Sequence, residues 1–176
     1  MKYKIYQYPN DYLMNLASFN VENINDKIKR TQEDGLEFDC LNCIISLAFS
    51  IEAIVNLVGH LKIENWKEKQ DFFKKMKTVC NSSTFKFDEN IEPFHTLKQL
   101  KQLRDNIAHG KPKEKEKSFK IGTPKELKDE LEPTWKAFTN PKFTNHAYQM
   151  VKKFENDLIE AHGMDLSETG TRAISQ

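Results

Sequence analysis

The sequence predicts an all-α protein, an antiparallel bundle of about five helices with no significant sheet. Apolar residues recur every three to four positions through most of the chain, which is the period of an amphipathic helix. The 176 residues include only six Gly and six Pro, too few to punctuate an all-β domain. No segment is convincing as a strand. We expect one helical domain over residues 1–163 and a flexible C-terminal tail over 164–176.

The first two predicted helices are separated by an Asp-Gly break at residues 34–35. The apolar positions of the first helix, from about residue 10 to 31, are Leu13, Leu16, Ala17, Val21, Ile24 and Ile28. The second has Glu52 as its only charge between Asp39 and Lys62, and its length could span a bilayer. A carboxylate at the midpoint makes insertion expensive, so we expect a buried central helix and no membrane contact.

The third and fourth predicted helices are marked by apolar stripes and turn residues. The stripe of the third consists of Trp66, Phe72, Phe73, Met76 and Cys80, and that of the fourth of Phe94, Leu97, Leu100, Leu103 and Ile107. An Asn-Ser-Ser cluster at residues 81–83 ends the third helix. Pro93 is tolerable in the first turn of the fourth helix, and Gly110 and Pro112 end that helix.

Two further helical segments follow a mixed-charge stretch at residues 111–120, which we expect to be a solvated loop. A capping box at residues 123–126 begins a fifth segment, and Pro133 should kink or split it. An Asn-Pro pair at residues 140–141 begins the last helix, which is predicted to extend to about His162.

Composition argues against a strongly charged protein that binds nucleic acid or membrane over its whole surface, a disulfide-rich protein and a zinc finger. The net charge of +1 produces no global field toward nucleic acid or membrane, so any such attraction must be local. Three Cys, an odd count, argue against a disulfide framework and for a reducing compartment, the cytoplasm. Cys40 and Cys43 form a C-x-x-C pair, but no second ligand pair lies at zinc-finger spacing. We expect both in the core, and we expect neither a metal nor a cofactor.

The strongest candidate for a chemical site is the segment LRDNIAHG, residues 103–110, at the end of the fourth helix. Asp105 and His109 are four residues apart and should share a helix face, where the carboxylate would hold the imidazole and fix its tautomer. Arg104 is about 140° from His109 on an ideal helix, but its long side chain could reach the same pocket. An Asp–His pair at a helix end is also ordinary surface chemistry, stabilised by the helix dipole.

Charged residues around this segment extend the predicted site. A local basic patch consists of Lys98, Lys101, Lys111 and Lys113. Glu52 is a lone carboxylate in an apolar helix, and burying it without a partner would be costly. It could pair with Arg104 and position the guanidinium. Equally, it could reach the bundle surface or pair with a lysine.

The motif RDNIAH, residues 104–109, resembles the R-x4-H motif of the HEPN superfamily, an all-α family that carries this motif at a helix end, often before a glycine such as Gly110. The second helix, with Glu52 inside LAFSIEAIVNLVG, is also similar to helices of that family. The resemblance covers residues 10–162 in helix layout and is sequence-specific over LRDNIAHG alone. The family often has Asn or His after the arginine, and Asp105 differs from that pattern.

The resemblance implies a metal-independent endoribonuclease, of a kind common in toxin–antitoxin and antiviral systems. Arg104 would bind the phosphate, His109 would serve as base or acid, and Asp105 would orient His109. The lysine patch would bind the RNA backbone. One histidine cannot readily be base and acid in one step, so a homodimer would supply the second.

Two further interpretations accompany this hypothesis. A cognate antitoxin or nucleotidyltransferase could be a partner of such an enzyme. The alternative function is a HEPN-like module without catalysis, which dimerises or binds RNA or another protein. An intact arginine and histidine favour the enzyme, because a pure scaffold has no chemical need for those identities.

Overall fold

A computed structural model describes residues 1–112, 114, 116, 124–165 and 169–175. Within them, the α-helices are α1 (Pro9–Lys29), α2 (Leu36–Lys62), α3 (Phe72–Asn81), α4 (Phe94–Ala108), α5 (Pro124–Leu131) and α6 (Pro141–Ala161). A 3₁₀ helix, Thr134–Phe138, lies between α5 and α6, and two short strands are β1 (Tyr3–Tyr6) and β2 (Arg172–Ser175). The all-α class is confirmed.

Helix α2 forms the centre of the bundle and packs against α1, α3, α4 and α6. Its core side chains are fully buried because neighbours surround it on most sides, and they include Ile44, Leu47, Ile51 and Val55. By length and composition α2 could cross a membrane, but 61% of its most apolar window is buried inside the protein. The core helix of a soluble protein passes the same test, and the prediction that this helix is buried in the bundle is confirmed.

Helices α1 and α2 are antiparallel, and polar contacts fix their register. Asn42 of α2 donates to Asn20 of α1 at 3.2 Å, and the Cys43 thiol donates to the Ala17 carbonyl at 3.5 Å. All three cysteines are free and fully buried. Burial raises the pKa of the Cys43 thiol to about 12, and it raises that of Cys40 as well. The C-x-x-C pair therefore belongs to the core, as predicted.

The boundaries of α3 differ from the prediction. The helix begins at Phe72, after an Asp71 side chain that accepts a hydrogen bond from the Lys74 backbone at 3.1 Å. Trp66, predicted as its first apolar residue, precedes the helix and lies against Gly59 of α2. Trp66 is therefore an apolar residue of the preceding loop, and the sequence pattern alone does not distinguish it from a residue of the helix. Pro133 does separate α5 from the 3₁₀ helix, as expected.

Nothing in the sequence pattern predicts the small antiparallel sheet, in which Tyr3 pairs with Ser175 and Tyr6 with Arg172. The prediction of no significant sheet is confirmed, but neither of these two short strands was predicted, and β2 lies within the stretch expected to be a flexible tail. Both strands have four residues and are mostly exposed, so no buried face imposes an alternating pattern. The Tyr8 backbone also donates to the Thr171 hydroxyl at 3.2 Å, which attaches this end of the chain to the start of α1.

Replacing Gly59 by Ala should destabilise the protein, because a methyl group there would overlap the Trp66 indole ring. Overpacking of this kind lowers the free energy of unfolding by about 1–3 kcal/mol, more than the ~1 kcal/mol gained in helix propensity. Urea unfolding measures the difference. Gly170→Ala is the matched control, since open space surrounds that position. Equal stability of the two variants would contradict the Trp66 contact.

Candidate functional site

Arg104 lies in the last turns of α4, where two carboxylates hold its guanidinium. Nη1 donates to Glu52 Oε2 at 2.7 Å, while Nη2 and Nε donate to Asp105 Oδ1 at 2.9 and 3.2 Å. The guanidinium also lies over the Phe49 ring, 5.6 Å from its centre. The side chain keeps 19% of its surface exposed. The expected pairing of Arg104 with Glu52 is thus present, and it connects α4 to the central helix.

Glu52 has a second cationic partner, a lysine that the sequence analysis allowed for but did not identify. Lys75 of α3 donates to Glu52 Oε1 at 2.9 Å and to Asn56 Oδ1 at 2.9 Å. Its side chain is only 2% exposed. The two pairings proposed for Glu52, with Arg104 or with a lysine, both occur. A signal was available, because Lys75 is three residues after Phe72 and four before Val79, on the buried face of an amphipathic helix.

Neighbouring cations keep the carboxylates of Glu52 and Asp105 ionised. Burial alone would raise the pKa of Glu52, but its hydrogen bonds and charge interactions with Lys75 and Arg104 bring it below the ordinary value. The pKa of Asp105 is lowered in the same way by Lys101 and Arg104, against a burial effect. Burial opposes the charge of Arg104, yet Asp105 and Glu52 raise its pKa overall. The cluster combines three cations with two anions, so one positive charge is in excess.

Stability on the acid side should therefore depend on Glu52 and Asp105. Their folded-state pKa values lie below the ordinary 4.5 and 3.8, so the unfolded chain binds more protons in that range. The stabilisation is present above the ordinary values and is lost as the pH falls through the folded-state values. Urea unfolding between about pH 3 and pH 6 should show a weaker pH dependence for Glu52→Gln than for the wild type. Identical pH dependence would contradict the lowered pKa of Glu52.

His109 is exposed and stands just beyond α4, as its C-terminal capping residue. The expected hydrogen bond from the imidazole N–H to the Asp105 carboxylate is not formed; only the backbone N–H of His109 donates, to the Asp105 carbonyl at 2.9 Å. The Asp105 carboxylate instead accepts from Lys101 and Arg104. Two cationic side chains, Lys101 and Arg104, already bind this carboxylate, and His109 leaves the helical geometry that the four-residue spacing assumes. Within the described part of the chain, the imidazole makes no hydrogen bond or ion pair.

Two lysines of the predicted basic patch have acidic partners. Lys98 forms an ion pair with Glu89 at 2.9 Å, and Lys101 pairs with Asp105. Lys111 is exposed, and no ion pair joins it to the described residues. Lys113 lies outside the residues that the structure describes. Among the described lysines of the predicted patch, Lys111 is thus the one whose charge is most available to an anion.

Arg104 keeps hydrogen-bonding capacity for an anionic ligand. A guanidinium has five N–H groups, and three of them donate to Glu52 and Asp105. One N–H remains on Nη1 and one on Nη2. The carboxylates therefore position the group without using all its donors, and an oxyanion such as phosphate could accept the remaining two. Among the described residues, no cluster of three His, Cys, Asp or Glu side chains could hold a metal ion.

Comparison with known proteins does not assign this chain to a family. A scan against protein-family models found no match, and searches of curated proteins and of solved structures found none either. The resemblance to the HEPN superfamily therefore rests on the motif at residues 104–109 and on the helix layout, and membership of that family stays a prediction.

Proposed function

We propose that this protein is a metal-independent endoribonuclease whose active site combines residues of two identical chains. The observation that carries the proposal is that one helix end holds both Arg104, positioned by Glu52, and an exposed His109 whose imidazole makes no hydrogen bond or ion pair with the described residues. One supplies positive charge with free donors, and the other supplies a group that can exchange a proton near neutral pH.

The chemistry needs no external nucleophile, because RNA carries a 2′-hydroxyl beside each phosphate. One His109 takes the 2′-OH proton, the 2′-oxygen attacks phosphorus, and the bond to the 5′-oxygen breaks. The second His109, from the other chain, donates a proton to that leaving oxygen. Arg104 stabilises the charge that builds up on the phosphorane oxygens. The products are a 2′,3′-cyclic phosphate and a 5′-hydroxyl.

Exposed apolar side chains on α1 and α2 support a second copy as the partner. Tyr12, Leu16 and Phe19 are spaced along one face of α1, and the first and last are 68% and 60% exposed. The antiparallel register of α1 and α2, in which Asn20 contacts Asn42 and Ala17 contacts Cys43, places Tyr12 at the level of Phe49. Phe49 is 43% exposed and contacts Arg104. A two-fold contact through this face would bury the apolar stripe and bring two Arg104 side chains near each other.

Incubation of the purified protein with a structured RNA in EDTA tests the proposal. We expect cleavage that persists in EDTA and leaves 2′,3′-cyclic phosphate ends, together with a dimer in sedimentation analysis. An RNA that stays intact over a range of substrates would contradict an enzymatic function.

The alternative, a HEPN-like module that dimerises or binds RNA or a protein without cleaving, is favoured by one observation. Asp105 pairs with Lys101 and Arg104 rather than with His109, so no described side chain orients the imidazole. RNA binding without cleavage would support this alternative. The ribonuclease proposal also includes a cytoplasmic location and a cognate antitoxin or nucleotidyltransferase as a partner.

A further inference from the structure

We propose that Lys75 is a positioning residue for Arg104, acting through Glu52; its part in catalysis rests on the function proposed above. The three residues come from three helices, α3, α2 and α4, and form a chain of contacts in which Glu52 is central. Each Glu52 oxygen has one cationic partner, Lys75 at 2.9 Å and Arg104 at 2.7 Å. No functional assignment from the sequence includes Lys75.

The burial of Lys75 argues that its charge has a purpose other than stability. An ammonium group in the interior is costly to desolvate, and a buried ion pair is often no more stable than apolar residues of similar volume. The same helical face carries the buried apolar side chains Phe72, Met76 and Val79, so an apolar residue would match the surroundings of position 75. Lys75 instead donates to two α2 side chains one turn apart, Glu52 and Asn56, which fixes the place of its ammonium group.

Loss of Lys75 should affect Arg104 through Glu52, because the other carboxylate that holds the guanidinium, Asp105, has a partner of its own. Asp105 has its own partner, Lys101, on the same helix. Glu52 has no such neighbour on α2, and its side chain is 31% exposed. Without Lys75 it could rotate toward solvent or offer both oxygens to Arg104. Either change would move the guanidinium away from its present position and alter which N–H groups remain for phosphate.

The test compares Lys75→Met with Lys74→Met, which removes an exposed lysine next to it in the same helix. The activity-independent readout is the NMR signal of the Arg104 Nε–H group, which should shift and exchange faster with water in Lys75→Met alone. In RNA cleavage, kcat of Lys75→Met should fall by about 10- to 100-fold, as expected for a misplaced catalytic group, with little change in KM. Lys74→Met should match the wild type.

A double-mutant cycle separates positioning from a general loss of structure. In an Arg104→Ala background, Lys75→Met should cause little further loss, because the group it positions is gone. An equal loss in both backgrounds, or an unchanged Arg104 signal and kcat in a folded Lys75→Met protein, would overturn the proposal. If Lys75→Met does not fold, Lys75→Gln, which removes the charge and keeps a polar head, is expected to show the same changes. Failure of the wild type to cleave RNA would refute the ribonuclease proposal alone, since the NMR signal still tests the positioning of Arg104.

Discussion

Replacing His109 by Ala should reduce RNA cleavage by about 10²–10⁴-fold, the usual contribution of a general acid–base group. In a two-chain site the substitution removes both the base and the acid, so the loss should lie toward the upper end of that range. Single-turnover cleavage rates at saturating protein measure the chemical step free of product release. Because His109 is exposed and contributes only a backbone cap to α4, the unfolding free energy should change little.

The matched control is His95→Ala. His95 is also exposed and lies at the opposite end of α4, so its removal tests whether any surface histidine on this helix matters. It should cleave RNA at the wild-type rate. Equal rates for His109→Ala and the wild type would remove His109 from the mechanism.

Replacing Arg104 by Ala should lower the cleavage rate by about 10²–10³-fold, as is typical when a donor to a developing oxyanion is removed. The fold should survive, because Glu52 keeps Lys75 and Asp105 keeps Lys101, so neither carboxylate is left without a cation. Arg104→Lys should recover only part of the rate, since an ammonium group lacks the planar fork that binds two phosphate oxygens.

Parallel measurements of cleavage rate and urea unfolding distinguish the roles of Arg104. A catalytic role predicts a large loss of rate with a small loss of stability. A loss of several kcal/mol in the unfolding free energy with a proportionate loss of rate would show instead that Arg104 is a structural link between α2 and α4.

Much of the bundle could be predicted from the sequence because burial imposes a helical period. Leu97, Leu100 and Leu103 are spaced at three residues and are all buried on one face of α4. The small sheet offered no such signal, since strands of four mostly exposed residues need no alternation of polarity. The predicted start of α3 was wrong because Trp66 packs on Gly59 from a loop. An apolar residue in the sequence indicates burial, but it does not show whether the residue lies in a helix or in a loop.

The site could be predicted only in part, for a physical reason. Glu52 is an isolated charge in an apolar helix, and its need for a partner indicated Arg104, a lysine or exposure at the bundle surface without deciding among them. Lys75 stands among several lysines in the sequence, and its burial depends on how α3 packs against α2. The partner of Asp105 was mispredicted, because spacing identifies neighbours on both sides along a helix, Lys101 and His109, and the choice depends on charge and on where the helix ends.

The most direct test of the central claim, that two copies bring their His109 side chains to one cleft, is a cross-linking measurement. His109→Cys is treated with a short bifunctional maleimide and compared with His95→Cys, about 21 Å away along α4 at 1.5 Å per residue. The native cysteines are fully buried and should not react. We predict efficient cross-linking of two chains through position 109 and little through position 95. A dimer that cross-links at position 95 and not at 109, or a chain that remains a monomer, would contradict the two-chain site.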